Sequence, residues 1–243
     1  MVSKSRWLLC LAVSLLVLSA LSGTARADSQ LITNGNFATG DLTGWTEADQ
    51  AGGSGSWFVS STTSSPLSGF QTPGPPGSDS FYALTDQTGP GSHVLIQSFT
   101  VPVGTTSLVL TFNMFSNDQD GGPFCPGALD YTIEPNQCAR VDILTAGAGA
   151  FDTGAGVVGN LYETATQTVE EATNPWVSYT FDLTGLAPGT YQLRFGEVDN
   201  QDFFQQGVDD VSLVASTPEP GTLLLLGTGL LSALGLKRRK QLA

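Results

Sequence analysis

The stretch Thr190-Tyr191-Gln192-Leu193-Arg194-Phe195 carries the plainest structural signal in the 243-residue chain. Tyr191, Leu193 and Phe195 alternate with Gln192 and Arg194, the two-residue period of a strand with one buried face. Six further runs rich in Val, Thr, Phe and Tyr read the same way: Ser80 to Thr85, His93 to Val101, Ser107 to Phe115, Ala139 to Leu144, Trp176 to Leu183 and Val208 to Val214. Each is bounded by Gly, Pro, Asn or Asp, the residues that end strands and make turns. Away from the two termini no window sustains a helical period. Seven or more strands at this spacing, with no βαβ alternation, predict an all-β antiparallel sandwich of jelly-roll type.

Two connections read as tight turns, Pro102-Val103-Gly104-Thr105 and Leu186-Ala187-Pro188-Gly189, where Pro presets one dihedral and Gly accepts the left-handed one. The Gly/Ser/Pro stretches Gly52 to Gly77 and Gly147 to Gly159 are predicted surface loops, with one strand, Ser56 to Ser60, embedded in the first.

Both termini carry address signals. At the N-terminus, Lys4 and Arg6 precede an apolar stretch from Trp7 to Leu21, and Ala25-Arg26-Ala27 supplies the small residues of a cleavage site. Residues 1–27 are thus a predicted signal peptide, and the exported chain starts at Asp28. At the other end Pro218-Glu219-Pro220 is followed by an apolar run, Thr222 to Leu236, and by Lys237-Arg238-Arg239-Lys240. The run suits a single transmembrane helix, short of the roughly 20 residues that span a bilayer comfortably, with its basic end cytoplasmic. The order of tripeptide, Leu/Gly helix and basic cluster over 218–240 resembles the PEP-CTERM sorting signal. That resemblance implies an exosortase-type processing enzyme as partner, transient inner-membrane anchoring, and delivery to the cell surface or extracellular matrix. An ordinary single-pass anchor is the alternative.

Residues 28–217 are enough for one sizeable domain. They hold two arginines, Arg140 and Arg194, against 21 acids, a formal charge of −19. Such a surface argues against nucleic acid as a partner, since phosphate binding rests on Lys and Arg. It suits solubility outside the cell, or the holding of cations by local carboxylate clusters. Two cysteines remain after export, Cys125 and Cys138, flanking a Pro/Gly/Asn-rich loop. An even count in an exported protein predicts a disulfide, worth about 3 kcal/mol for a loop of this length.

Near the exported terminus stands LITNGNFATGDLTGW, Leu31 to Trp45, and near the domain's end QGVDDVSLV, Gln206 to Val214. Together they resemble the first and last strands of the galactose-binding-type jelly roll found in many carbohydrate-binding modules. That resemblance implies a structural calcium between opening and closing segments, with Asn36, Asp41, Asp209 and Asp210 as candidate ligands. Ala38 stands where that family usually has Glu, which removes one expected carboxylate. Asn117-Asp118-Gln119-Asp120-Gly121 faintly resembles a calcium loop but lacks the distal bidentate Glu, and reads better as a solvated turn.

Sugar recognition needs an aromatic face for the ring and polar groups for its hydroxyls. The loop aromatics Trp57, Phe58, Phe124 and Tyr131 form the candidate set, with Phe70, Phe203 and Phe204 also available, while Trp45 belongs in the core. No catalytic motif is present: His93 is the sole histidine and has no nucleophile pattern around it. The sequence therefore reads as a non-catalytic exported protein that binds carbohydrate, with a ligand-free structural or adhesive matrix protein, and then a polysaccharide hydrolase, as alternatives.

Overall fold

The computed structural model describes residues 26–119, 124–164 and 173–218. The expected signal-peptide core, the membrane segment and Glu219-Pro220 lie outside these residues. Among the described residues no helix is long and apolar enough to cross a membrane. The chain divides into two compact units. One is Ser29–Ala215; the other joins the two chain ends, and in it Ser216 Oγ donates to Asp28 Oδ1 at 2.6 Å.

The strands are β1 (Arg26–Gln30), β2 (Thr46–Asp49), β3 (Ser56–Ser60), β4 (Tyr82–Asp86), β5 (Gly91–Val101), β6 (Ser107–Gln119), β7 (Gln137–Thr145), β8 (Val157–Glu163), β9 (Val177–Asp182), β10 (Gly189–Asp199) and β11 (Phe203–Pro218). They form two antiparallel sheets, ordered β3-β4-β11-β6-β9, with β1 beside β11, and β2-β5-β10-β7-β8. The seven expected strands and the embedded Ser56 to Ser60 are all present, so the all-β sandwich stands. Thr105 N donates to Pro102 O at 3.3 Å with Gly104 at φ 82°, the expected tight turn.

The core follows from alternation. Leu193 and Phe195 of β10, Val141 and Ile143 of β7, Leu95 and Phe99 of β5 face Leu108, Leu110, Phe112 and Met114 of β6 and Val208 and Leu213 of β11. Trp45 joins them, as expected, with its ring 6.0 Å from Phe195 and Nε1 donating to Asn34 O.

Each sheet also has a covered outer face. Over the five-stranded sheet, Val94, Ile96, Cys138 and Val198 are capped by Leu129, Tyr131, Ala150 and Phe151 from the 124–136 and 146–156 loops. Leu129 can come down because residue 196 is glycine: a Cβ there would lie 2.7 Å from Leu129 Cδ1. Cys125 and Cys138 are disulfide-bonded, which ties the first of these loops to β7. Over the other sheet Tyr82, Leu84 and Phe115 are covered by Phe58 and Trp176, with the Phe115 ring lying directly on Gly207.

Two sequence expectations need correction here. The opening motif, Leu31 to Trp45, is a chain of turns and not a strand, because Asn34, Phe37, Gly40 and Gly44 all take positive φ. It still meets the closing strand, through Leu31 N to Leu213 O at 2.8 Å and Val211 N to Gly35 O at 2.9 Å. Asn117 and Asp118 are likewise no solvated turn: both are buried within β6, which runs four residues past Phe115.

Candidate functional site

The alternation that builds the apolar core continues to one end of the sandwich, but there the inward side chains turn polar. Glu197 and Asp199 follow Phe195 on the inner side of β10, and Asp118 follows Met114 on that of β6. Gln137 lies directly opposite Asp199 across the β7–β10 pair. Gln87 enters from the end of β4. Its Nε2 donates to both Glu197 Oε1, at 3.2 Å, and Asp199 Oδ2, at 3.0 Å. Gln137 Nε2 donates to Asp118 Oδ1.

Burial decides the electrostatics of this end. Desolvation, then the neighbouring charge of Asp199, pushes the Glu197 carboxyl well above the ordinary range. Desolvation also pushes Asp199 and Asp118 up to about 6 each, against hydrogen bonds that pull them down. His93, across from Glu197 on β5, faces Asp49 Oδ1 with Nδ1 at 2.7 Å and Ser54 O with Nε2 at 2.9 Å. Its ring is fully buried and both nitrogens are engaged within the protein.

The outer rim of this end opens as a cleft of about 350 Å³ lined by Ser68, Phe70, Gln87, Asp199, Asn200, Gln201, Asp202 and Phe203 among others. Phe70 is 38% exposed and its ring centroid lies 4.0 Å from that of Phe203. The turn carrying Phe70 is held by one carboxylate. Asp86 accepts from Ser68 N at 3.0 Å, from Ser68 Oγ at 2.6 Å, and from Leu67 N. Asn200 is fixed in turn: its Nδ2 donates to Tyr131 O and Ile133 O, and its Oδ1 accepts from Asn136 N. The cleft therefore combines an exposed aromatic face with amide and carboxylate side chains on a braced rim.

The expected sugar-stacking residues are not gathered in one place. Trp57 is 2% exposed and packs inside the sandwich core, so it presents no face to solvent; its β3 position alternates inward. Phe58, its neighbour, lies on the opposite side of β3 in the Tyr82–Phe115–Trp176 cluster. Tyr131 lies against the cluster on the other sheet's outer face, with its hydroxyl donating to Ala51 O at 3.1 Å. Phe124 is 42% exposed beside the disulfide. Of the adjacent phenylalanines, Phe204 is fully buried and Phe203 is 8% exposed, lending its ring to Phe70. Phe70 was visible as a loop aromatic, but nothing local marked it as the one held over a cleft.

The candidate calcium residues divide in two. Asp41 is exposed, and hydrogen bonds from Thr39 and Thr43 hold its carboxyl below the usual range. Asn36 Oδ1 accepts from Ala38 N at 3.4 Å. Asp209 is fully buried, with Oδ1 accepting from Asp210 N and Oδ2 without a partner among the described residues. Burial pushes its carboxyl up to about 8. Asp210 takes φ 53° and accepts from Asn113 Nδ2 at 2.8 Å. Among the described residues, three acidic, histidine or cysteine ligands converge within 4.8 Å only at Cys125, Cys138 and Glu163, where both sulfurs are committed to the disulfide.

The comparisons with known proteins divide between the tail and the domain. No curated protein matches the sequence. The sandwich is similar in outline to several solved structures. One is TmCBM61 in complex with beta-1,4-galactotriose, with 11% identity, 79% of this chain and 99% of that one covered, and a TM-score of 0.43. Another is the K3 cleaved adhesin domain of Lys-gingipain from Porphyromonas gingivalis, at 17% identity, 79% and 99% coverage and a TM-score of 0.48. A third is the family 11 carbohydrate-binding module from Clostridium thermocellum, at 12%, 76% and 94%, with a TM-score of 0.39. At the C-terminus residues 216–240 match the PEP-CTERM protein-sorting motif, so the chain carries at its end the sorting signal that its Pro-Glu-Pro, apolar run and basic cluster spell out.

Proposed function

We propose that this is a non-catalytic surface or matrix protein, sorted through its PEP-CTERM tail, whose domain binds neutral polysaccharide in the Phe70–Phe203 cleft. The sorting motif implies export and exosortase processing. The observation that carries the binding reading is the pairing of a solvent-facing ring with the exposed side chains of Gln201 and Asp202 at one rim. A sugar stacks its C–H face on such a ring and gives its hydroxyls to such polar side chains. The charge of −19 in residues 28–217 disfavours polyanions, which leaves neutral or cationic glycans. Cleavage before Asp28, anchoring through 222–236 and removal of the tail belong to the same reading.

The test is affinity electrophoresis or calorimetry of the purified protein against neutral polysaccharides, beside Phe70→Ala and Gln201→Ala. Wild type should bind, and each variant should lose at least tenfold in affinity while melting like the parent. Absence of binding, or equal binding by Phe70→Ala, overturns the cleft and leaves the structural matrix role. Release of oligosaccharides would instead make Asp199 and Asp202 of the same cleft a hydrolase pair.

A further inference from the structure

The turn from Asp199 to Phe203 forms one wall of the cleft, and its polar groups divide into those the protein engages and those it turns outward. Asn200 is 9% exposed and its side chain is engaged inside the chain. Its Nδ2 donates to Tyr131 O at 2.6 Å and to Ile133 O at 2.7 Å, and its Oδ1 accepts from Asn136 N at 2.7 Å. Its backbone N donates to Asn136 O at 3.0 Å. Asn136 is itself held, since its Nδ2 donates to Ala128 O and Asp130 O, both at 2.9 Å. These partners all belong to the loop that the disulfide closes, so the turn hangs on a tied support.

Gln201 is exposed, yet its amide is not free to point either way. Its Nε2 donates to Asn200 O and to Asn200 Oδ1, each at 3.0 Å. The first partner is a backbone carbonyl, and the second is fixed as an oxygen because Asn136 N–H points at it. An amide nitrogen carries two hydrogens, and the planar group holds its oxygen on the opposite branch. With the nitrogen turned to Asn200, Oε1 is what the exposed side chain offers. Asp202 beside it is also exposed, and a carboxylate accepts only. Asp199 is already served, by Gln201 N on Oδ1 and by Phe204 N and Gln87 Nε2 on Oδ2. Across the cleft Ser68 Oγ donates to Asp86, and Thr88 Oγ1 shares a hydrogen with Ser54 Oγ at 3.3 Å. The exposed side chains of the 199–203 wall therefore present acceptors.

We propose that Asn200 is the positioning residue of this cleft: by holding the Gln201 amide nitrogen it leaves a wall of acceptors, which selects glycans whose docked unit carries free hydroxyl groups over glycans in which those hydroxyls are capped. The inference rests on the glycan reading above. A free hydroxyl donates to Gln201 Oε1 or to Asp202, whereas a capped one brings a further acceptor, and two acceptors then face each other with their water displaced. A site built to accept a hydrogen bond rejects the analogue that lacks the donor. Without Asn200 the Gln201 amide can turn over and offer N–H, so the discrimination weakens.

The experiment is calorimetric titration of the purified protein with soluble neutral glucans, galactans and mannans, each as such and partly O-methylated. Methylation removes the O–H donor and keeps the oxygen. Wild type should bind the native form of one of these polymers roughly tenfold or more tightly than its methylated form, the worth of one well-placed hydrogen bond. In Asn200→Ala and in Gln201→Ala that ratio should fall to within about threefold. Gln201→Ala alters an exposed side chain, so it reads the ratio even where Asn200→Ala fails to fold. A merely structural Asn200 would lower both affinities together and leave the ratio unchanged, which overturns the proposal. So does a preference that persists in Gln201→Ala, or wild-type binding with no preference, and either leaves the cleft reading standing. No binding of any polymer by wild type overturns the cleft reading and the selectivity with it. The orientation itself is read without glycan, by NMR hydrogen exchange of the Gln201 side-chain amide: exchange slowed relative to free glutamine is expected, and exchange as fast as free glutamine overturns the proposal.

Discussion

Asp142 and Glu197 are both fully buried carboxylates on neighbouring strands of one sheet, yet they sit in opposite electrostatic worlds. Asp142, on the outer face, receives Arg140 Nε and Nη2 at 2.8 and 2.9 Å, Arg194 Nη2 and Nε at 2.5 and 3.2 Å, and Asn160 Nδ2 at 2.9 Å. Burial alone would raise it, but hydrogen bonds from Arg140 and the charge of Arg194 bring its carboxyl below the ordinary value. Glu197, on the inner face, receives among the described residues only the amide of Gln87 and is pushed up. The difference shows how two positive charges among 21 acids are spent. Arg194 Nη1 donates to Ala150 O and Asp152 O, and Arg140 Nη1 to Gly127 O, so the arginines pin both outer loops onto the sheet. Neither of these two arginines is left for the inner end.

The strongest way to break this comparison is to remove its compensated half. Asp142→Ala leaves two arginines buried without their carboxylate and should cost about 3–5 kcal/mol in chemical denaturation. Glu197→Ala should cost far less, since it removes a desolvated carboxyl with no arginine beside it. Equal losses would contradict the contrast.

A smaller effect belongs to the covalent tie on the same loop. Reducing Cys125–Cys138 frees the segment that Arg140 also holds and should lower stability by about 3 kcal/mol. Non-reducing and reducing melts of the same sample measure it.

The response to acid and base has opposite signs at the two sites. Asp142, with its carboxyl held low, gives stability that is present above the ordinary carboxylate range and is lost as pH falls through its folded value. The raised carboxyls behave in reverse. Asp118 and Asp199, each at about 6 when folded against 3.8 as the free group, favour the fold below about pH 4 and withdraw that support as pH rises through 6; Asp209 does so through about 8. Denaturation midpoints across this range, in chelator, should therefore peak on the acid side. The least effect on stability comes from Phe70→Ala, within about 0.5 kcal/mol, because its ring is a partly exposed lid and not a core filler.

How much of this was legible in sequence depended on whether the deciding contact was local. Strand alternation such as Tyr191, Leu193 and Phe195 is local, so the sandwich and both its layers could be read directly, and so could the disulfide and the sorting tail. Trp57 was misread as a loop aromatic because its surroundings, Gly52 to Gly77, look like surface; pairing of Trp57 with Thr85 on β4 turns it inward. Asn117-Asp118 was misread because turn-forming residues here continue a strand, their polarity met by Asn174 and Gln137 from distant parts of the chain. The joining of the acidic end could not be read, since Gln87, Gln137 and Glu197 come together only through sheet register.

The claim that the inner carboxylates lack compensation is tested most directly by following unfolding free energy from pH 5 to pH 8 in chelator for wild type and Glu197→Gln. The account predicts that wild type loses stability with rising pH, by up to about 1.4 kcal/mol per pH unit for each proton the folded state retains, and that the variant loses distinctly less. Superimposable profiles for the two proteins, or a wild type that gains stability over this range, would contradict it.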